Sequence, residues 1–93
     1  MKLYALHVKD KKMKKVIRFT ASWCEPCKML AKTLEDVQTN LPIEIVDIDK
    51  DSNTAIEFGI RGVPTMVMVE DGAILKRSVG MKSLKELQEW FND

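Results

Sequence analysis

Cys24 and Cys27 are the only cysteines in the chain, and they sit in the run Trp23, Cys24, Glu25, Pro26, Cys27, Lys28, where a strand-like pattern gives way to a helix-like one. Pro26 suits the first turn of a helix, because the N–H it lacks has no partner there in any case. The pair is thereby placed at the mouth of a helix. Two thiols at this spacing can pass between dithiol and disulfide within one turn, whereas a structural disulfide stabilises most when it closes a long loop. The pattern points to redox chemistry and not to stapling.

Two other uses of the pair fit less well. A structural zinc site needs four ligands, and beyond these cysteines the chain offers one distant histidine, His7. Inert buried cysteines behave as small hydrophobes and require neither a proline between them, an aromatic before them nor a lysine after. Another decoy is the acidic run Asp47, Asp49, Asp51, Asn53, which imitates the first half of a calcium loop. Ser52 stands where that loop needs glycine and Phe58 where it needs a bidentate glutamate, so the run reads as an acidic strand end and a helix cap, and no metal is expected.

With 93 residues, 45% hydrophobic and 31% charged, the chain is expected to form a single domain over 1–93, large enough for one core. No apolar run reaches the ~20 residues of a membrane span, and Lys9 to Lys15 interrupts any leader-like stretch; the expectation is a cytoplasmic monomer with no membrane contact. An exposed C-x-x-C in that compartment is more often catalytic than structural. Net charge is +1, yet residues 1–18 hold seven Lys or Arg against Asp10 alone. This basic segment carries no aromatic for base stacking, so it reads as a solvated turn and no nucleic-acid partner is expected.

Leu3 to Val8 reads as a first strand, followed by a basic turn or very short helix up to Lys15, and Val16 to Thr20 as the strand that leads into the cysteines. Cys27, Leu30, Leu34, Val37 and Leu41 recur at helical spacing, predicting a helix that Leu41 and Pro42 end. Ile43 to Asp49 alternates Ile43, Ile45 and Ile48 with acids and predicts the next strand, completing a parallel crossover unit. A short helix from Asn53 to Phe58 closes at Gly59. Val63 to Thr65 is a loop feeding a buried strand, Met66 to Val69, which turns at Glu70, Asp71, Gly72 into a hairpin partner, Ala73 to Val79. Ser83 to Glu86 is a capping box, and Leu84, Leu87 and Phe91 stripe the last helix.

Three segments together resemble the thioredoxin family: W-C-E-P-C-K, then G-I-R-G-V-P-T at Gly59 to Thr65, then Asp71-Gly72 with Val79-Gly80. The resemblance implies an α/β, thioredoxin-like fold with a central mixed sheet of four to five strands flanked by helices on both faces. It implies Cys24 exposed at the helix N-terminus, Cys27 tucked behind it, and a cis Val63-Pro64 bond facing them. The implied activity is thiol-disulfide exchange that reduces protein disulfides, with no cofactor, recharged by a thioredoxin reductase-type electron donor. Trp23, Val63, Pro64, Gly80 and Met81 would form the substrate groove, with Val63 left to pair with an extended substrate peptide.

Elementary electrostatics agrees with these roles. Unpaired N–H groups and the positive end of the helix dipole favour an anion at Cys24, populating its thiolate below the free-cysteine pKa of ~8.5. Cys24 then attacks a substrate disulfide and Cys27 resolves the mixed disulfide. Three residues are candidates for tuning the thiols: Arg18, Glu25 and Pro26. Thioredoxins usually carry Gly-Pro between the cysteines, and Glu25 instead places a negative charge beside Cys24, which disfavours its thiolate. Where the family has a buried acid this chain has Arg18, and the lysine that partners that acid corresponds to Ile45. Arg18 is expected beneath the Cys27 end of the helix, toward Ile45 and Asp47, either paired with Asp47, reaching for solvent, or stabilising the Cys27 thiolate by its charge.

Two further readings remain open. A glutaredoxin-like, glutathione-dependent enzyme would share the fold, but its Gly-Gly pair is not found here, where Gly80 is followed by Met81, Lys82 and Ser83. A redox-inactive binding module would use the basic N-terminal segment, or an apolar rim of Trp23, Ile60 and Met81, to hold a partner.

Overall fold

The computed structural model describes residues 13–92. In chain order these form β1 (Lys14–Thr20), α1 (Glu25–Leu34), β2 (Ile43–Asp47), α2 (Ser52–Glu57), β3 (Thr65–Glu70), β4 (Ala73–Val79) and α3 (Leu84–Asn92). The sheet order is β2-β1-β3-β4, with β1 and β2 parallel and the other two pairings antiparallel. It is the expected mixed sheet, four strands among the described residues, and the strand read at Leu3 to Val8 lies outside them. Val16, Met66 and Met68 pack on one face with Leu30 of α1 and Leu87 and Phe91 of α3. Ile17, Phe19, Val67 and Val69 pack on the other with Ala55 of α2 and Val46. Alternation along β1 and β3 thus feeds two cores at once, which is why β3 is apolar throughout its middle.

Local chemistry explains most element boundaries. Asp71 and Gly72, with φ of 52° and 86°, supply the two left-handed residues of a tight hairpin. Asp51 caps α2 by accepting from the Thr54 N–H at 3.1 Å, confirming the acidic run as strand end and cap. The capping box of α3 is complete: the Ser83 N–H donates to Glu86 Oε1 at 2.9 Å and the Glu86 N–H to Ser83 Oγ at 3.1 Å. Ser83, through its backbone N–H and then its hydroxyl, holds the Glu86 carboxyl below its usual range.

Three expectations need correcting. Lys14 and Lys15 belong to β1 and not to a turn, because Asp71 both accepts from the Met13 N–H and donates its own N–H to the Met13 carbonyl, drawing the ladder out two residues further. Helix α1 stops at Leu34, well short of Leu41. The N–H groups of Glu35, Asp36 and Val37 bond to carbonyls three residues back, tightening the last turn, and the Gln88 side chain then takes both the N–H and the carbonyl of Gln38. Val37 and Leu41 still reach the core, so the helical spacing reported burial correctly and helix length wrongly. In β2, which ends at Asp47 and not Asp49, the buried residue is Val46, while Ile45 is 59% exposed. β2 stands at the edge of the sheet among the described residues, and a strand buried unequally on its two faces does not obey a one-face alternation.

Leu87 is 0% exposed at the centre of the α1/α3 core. Leu87→Ala is expected to cost about 2–5 kcal/mol of unfolding free energy, read as a lower midpoint in urea at unchanged slope. A loss below about 1 kcal/mol would contradict this packing.

Candidate functional site

The chain leaves β1 at Thr20, turns through Ala21 and Ser22, and enters α1 with Cys24 as the residue that caps it. The turn is held by the Cys24 N–H donating to the Ala21 carbonyl at 3.1 Å. Cys24 has extended backbone angles, and its Sγ accepts from the Cys27 N–H at 3.1 Å. Sulfur does here what a serine or aspartate oxygen does at an ordinary N-cap, taking up a donor that the helix leaves unpaired. Glu25 and Pro26 fill the first turn as expected, and the Cys24 and Cys27 sulfurs are joined in a disulfide with Cα atoms 5.2 Å apart.

Both cysteines pack with Ala21 and against Ile48 and Val63. Cys27 is 1% exposed, as expected of the inner thiol, but Cys24 is only 5% exposed, so the expectation of an open Cys24 is corrected. Val63-Pro64 is a cis peptide bond, and Pro64 is buried. Neither the Val63 N–H nor its carbonyl is engaged by a hydrogen bond among the described residues. The loop is braced on both sides: Thr65 Oγ1 donates to the Gly62 carbonyl at 2.8 Å, and the Gly80 N–H to the Pro64 carbonyl at 2.9 Å. Trp23, 65% exposed, and Met81, also exposed, stand out from this floor.

The charged neighbours divide into neutralised and unpaired. Glu25 bonds to Lys28 Nζ at 3.0 Å, an exposed pair worth a few tenths of a kcal/mol that offsets some of the repulsion Glu25 exerts on Cys24. Trp23 donates its indole N–H to Asp49 Oδ2 at 2.8 Å. Sequence reasoning missed Asp49 and Ile48 as site residues, since nothing in an acidic strand end announces which acid turns back to meet an indole. Ile60, read as part of a possible apolar rim, packs instead into the core beneath α2.

Arg18 lies half-buried on the sheet face that α1 and α3 cover, registered with Ile45 on one side and Met66 on the other. Val16, two residues earlier on this face, packs with Leu30, and Cys27 lies one turn nearer the helix start than Leu30, so Arg18 is set beneath the first turns of α1. Asp47 is registered with Thr20 and spends Oδ1 on the Asp49 N–H. No carboxylate among the described residues pairs with Arg18, and burial pushes its pKa below the ordinary value.

The Thioredoxin family model matches residues 2–93. The chain is 38% identical to the thioredoxin of Bacillus subtilis over 78 residues, covering 80% of this chain and 75% of that protein. It is 31% identical to the thioredoxin of Buchnera aphidicola, covering 97% and 86%. Among solved structures, a mutant thioredoxin from Halobacterium salinarum superposes with a TM-score of 0.79 at 29% identity, covering 99% of this chain and 83% of that one. A thioredoxin from Malassezia sympodialis does so with a TM-score of 0.78 at 34% identity, covering 86% and 73%.

Proposed function

We propose a division of labour between the two thiols of a chain that belongs to the thioredoxin family and is a protein thiol-disulfide oxidoreductase. The observation that carries it is the position of Cys24 Sγ as the cap of α1, where the Cys27 N–H and the helix dipole stabilise negative charge on that sulfur. In the reduced protein the Cys24 thiolate attacks one sulfur of a client disulfide, a mixed disulfide forms, and the other client sulfur leaves as a thiolate that takes a proton. The Cys27 thiolate then attacks Cys24 Sγ, closing the Cys24–Cys27 disulfide and releasing the second client thiol. Two electrons and two protons have passed to the client. A thioredoxin reductase-type donor returns them, and the cytoplasm is the compartment whose reducing poise suits that cycle.

The client lies in the groove formed by Trp23, Val63, Pro64, Gly80 and Met81. The unengaged N–H and carbonyl of Val63 offer strand-like pairing to an extended segment, and the proline that follows has no N–H to bond with the approaching chain. Trp23, fixed by Asp49, supplies an apolar wall that excludes water from the reacting sulfurs. Arg18 acts on the second step. Its guanidinium stays charged even when burial lowers its pKa, and a cation beneath the first turns of α1 favours the Cys27 thiolate without a general base to take the proton.

Cys27→Ser is expected to accumulate mixed disulfides with client proteins, visible as thiol-sensitive adducts on non-reducing gels, and Cys24→Ser is not. Equal trapping by the two variants would overturn the assignment of roles. Arg18→Met keeps the length of the side chain and removes its charge. Resolution of a preformed mixed disulfide should slow on the order of tenfold at neutral pH, the rate effect of about 1.4 kcal/mol, and recover as alkali ionises Cys27. A rate and pH profile unchanged from wild type, with only lower stability, would make Arg18 a structural residue.

A further inference from the structure

Beside the Val63-Pro64 loop a cleft of about 230 Å³ is lined by Gly59, Ile60, Arg61, Gly62, Thr65, Arg77 and Val79. Its two charged side chains are both cationic. Arg77 reaches it from β4: it is registered with Val67, whose side chain lies in the core that α2 covers, so Arg77 points to that same face and lies across Gly59. Arg61 reaches it from the loop itself. Neither guanidinium has a carboxylate within salt-bridge distance among the described residues, although exposed lysines elsewhere, Lys15 and Lys28, have found theirs.

The residues lining the cleft adjoin those of the client groove in the chain at two points. Gly62 and Thr65 bracket Val63 and Pro64, and Val79, 65% exposed, immediately precedes Gly80. An extended segment pairing with Val63 advances about 3.3 Å per residue, so positions two to four residues from the reacting client cysteine come within reach of the guanidinium groups. A planar guanidinium with five donors takes a carboxylate in a two-point bond, and a pair of them tolerates either aspartate or glutamate.

We infer that Arg61 and Arg77 form a specificity subsite for acidic side chains flanking the disulfide of a client protein, an inference that rests on the reductase reading of the groove. Charge complementarity selects this occupant. The acids on the opposite side of the site are already engaged, Asp49 with Trp23 and Glu25 with Lys28, so a client is sorted by the charge it presents to the loop side. Exposed ion pairs each contribute little, so the subsite changes preference among clients and not the chemistry.

The test uses three disulfide peptides of one length, with two glutamates on the N-terminal flank of the reacting cysteine, two on the C-terminal flank, or none. The protein, recycled by a thioredoxin reductase and its electron donor, turns over each at low and moderate salt. At least one acidic isomer is expected to show a KM about two- to tenfold below that of the neutral peptide at similar kcat, with the ratio shrinking as salt rises. In the double variant Arg61→Gln, Arg77→Gln the ratio should collapse to near one, and in Arg61→Lys, Arg77→Lys it should be partly kept. Absence of any acidic preference in the wild type, or a preference that survives the glutamine variant, would overturn the subsite. Loss of turnover of all three peptides by the wild type would instead overturn the reductase reading, so the two failures are distinguishable.

Discussion

The hydrogen bond from the Cys27 N–H to Cys24 Sγ joins two functions that most helices keep apart. Any helix must satisfy the N–H groups of its first turn, and most do so with a hydroxyl or carboxylate oxygen that takes no part in chemistry. Here the capping atom is one of the two sulfurs of the Cys24–Cys27 disulfide. On the proposed division of labour, the charge that the helix start stabilises is the charge the reaction needs, and both sulfurs are held by the same turn of backbone. Glu25 and Pro26 follow from this arrangement, since an acid at the first helical position complements the dipole and a proline there forfeits no bond.

Everything else in the fold serves to present that turn. β1 lies between β2 and β3 and is covered on both faces, so its end at Thr20 is fixed from every side. α1 is fastened to the sheet through Leu30 and to α3 through the shared core around Leu87. The loop carrying Pro64 enters β3 directly, and β3 is the neighbour of β1 on its other side, which brings Val63 against the sulfurs without any long connection. The collar of Ala21, Ile48 and Val63 packs around the cysteine pair, and Cys24 is only 5% exposed.

The elements that were readable from sequence are those whose signals are local. The Asp71-Gly72 turn, the Ser83 to Glu86 box and the Pro26 helix start each depend on residues a few positions apart, and each formed where its chemistry places it. Features set by tertiary partners were not readable. Helix α1 shortens because Gln88, fifty residues away, offers its amide to the Gln38 backbone, and β1 lengthens because Asp71 reaches Met13. Ile45 and Val46 exchange expected roles because coverage of β2 depends on which helix lies over which face. In the site, the cysteines, Trp23 and the Val63-Pro64 loop were identifiable from motif spacing, whereas Asp49 and the meeting of Arg61 with Arg77 arise only when separate strands and loops converge.

The central claim is that the start of α1 stabilises a thiolate at Cys24 despite the carboxylate of Glu25 beside it. Titration of the reduced protein by thiolate absorbance, compared with Cys24→Ser and Cys27→Ser, isolates that group. A transition below the ~8.5 of a free cysteine is expected, which Cys24→Ser abolishes and Cys27→Ser retains. A Cys24 that ionises at or above the free-cysteine value would contradict it.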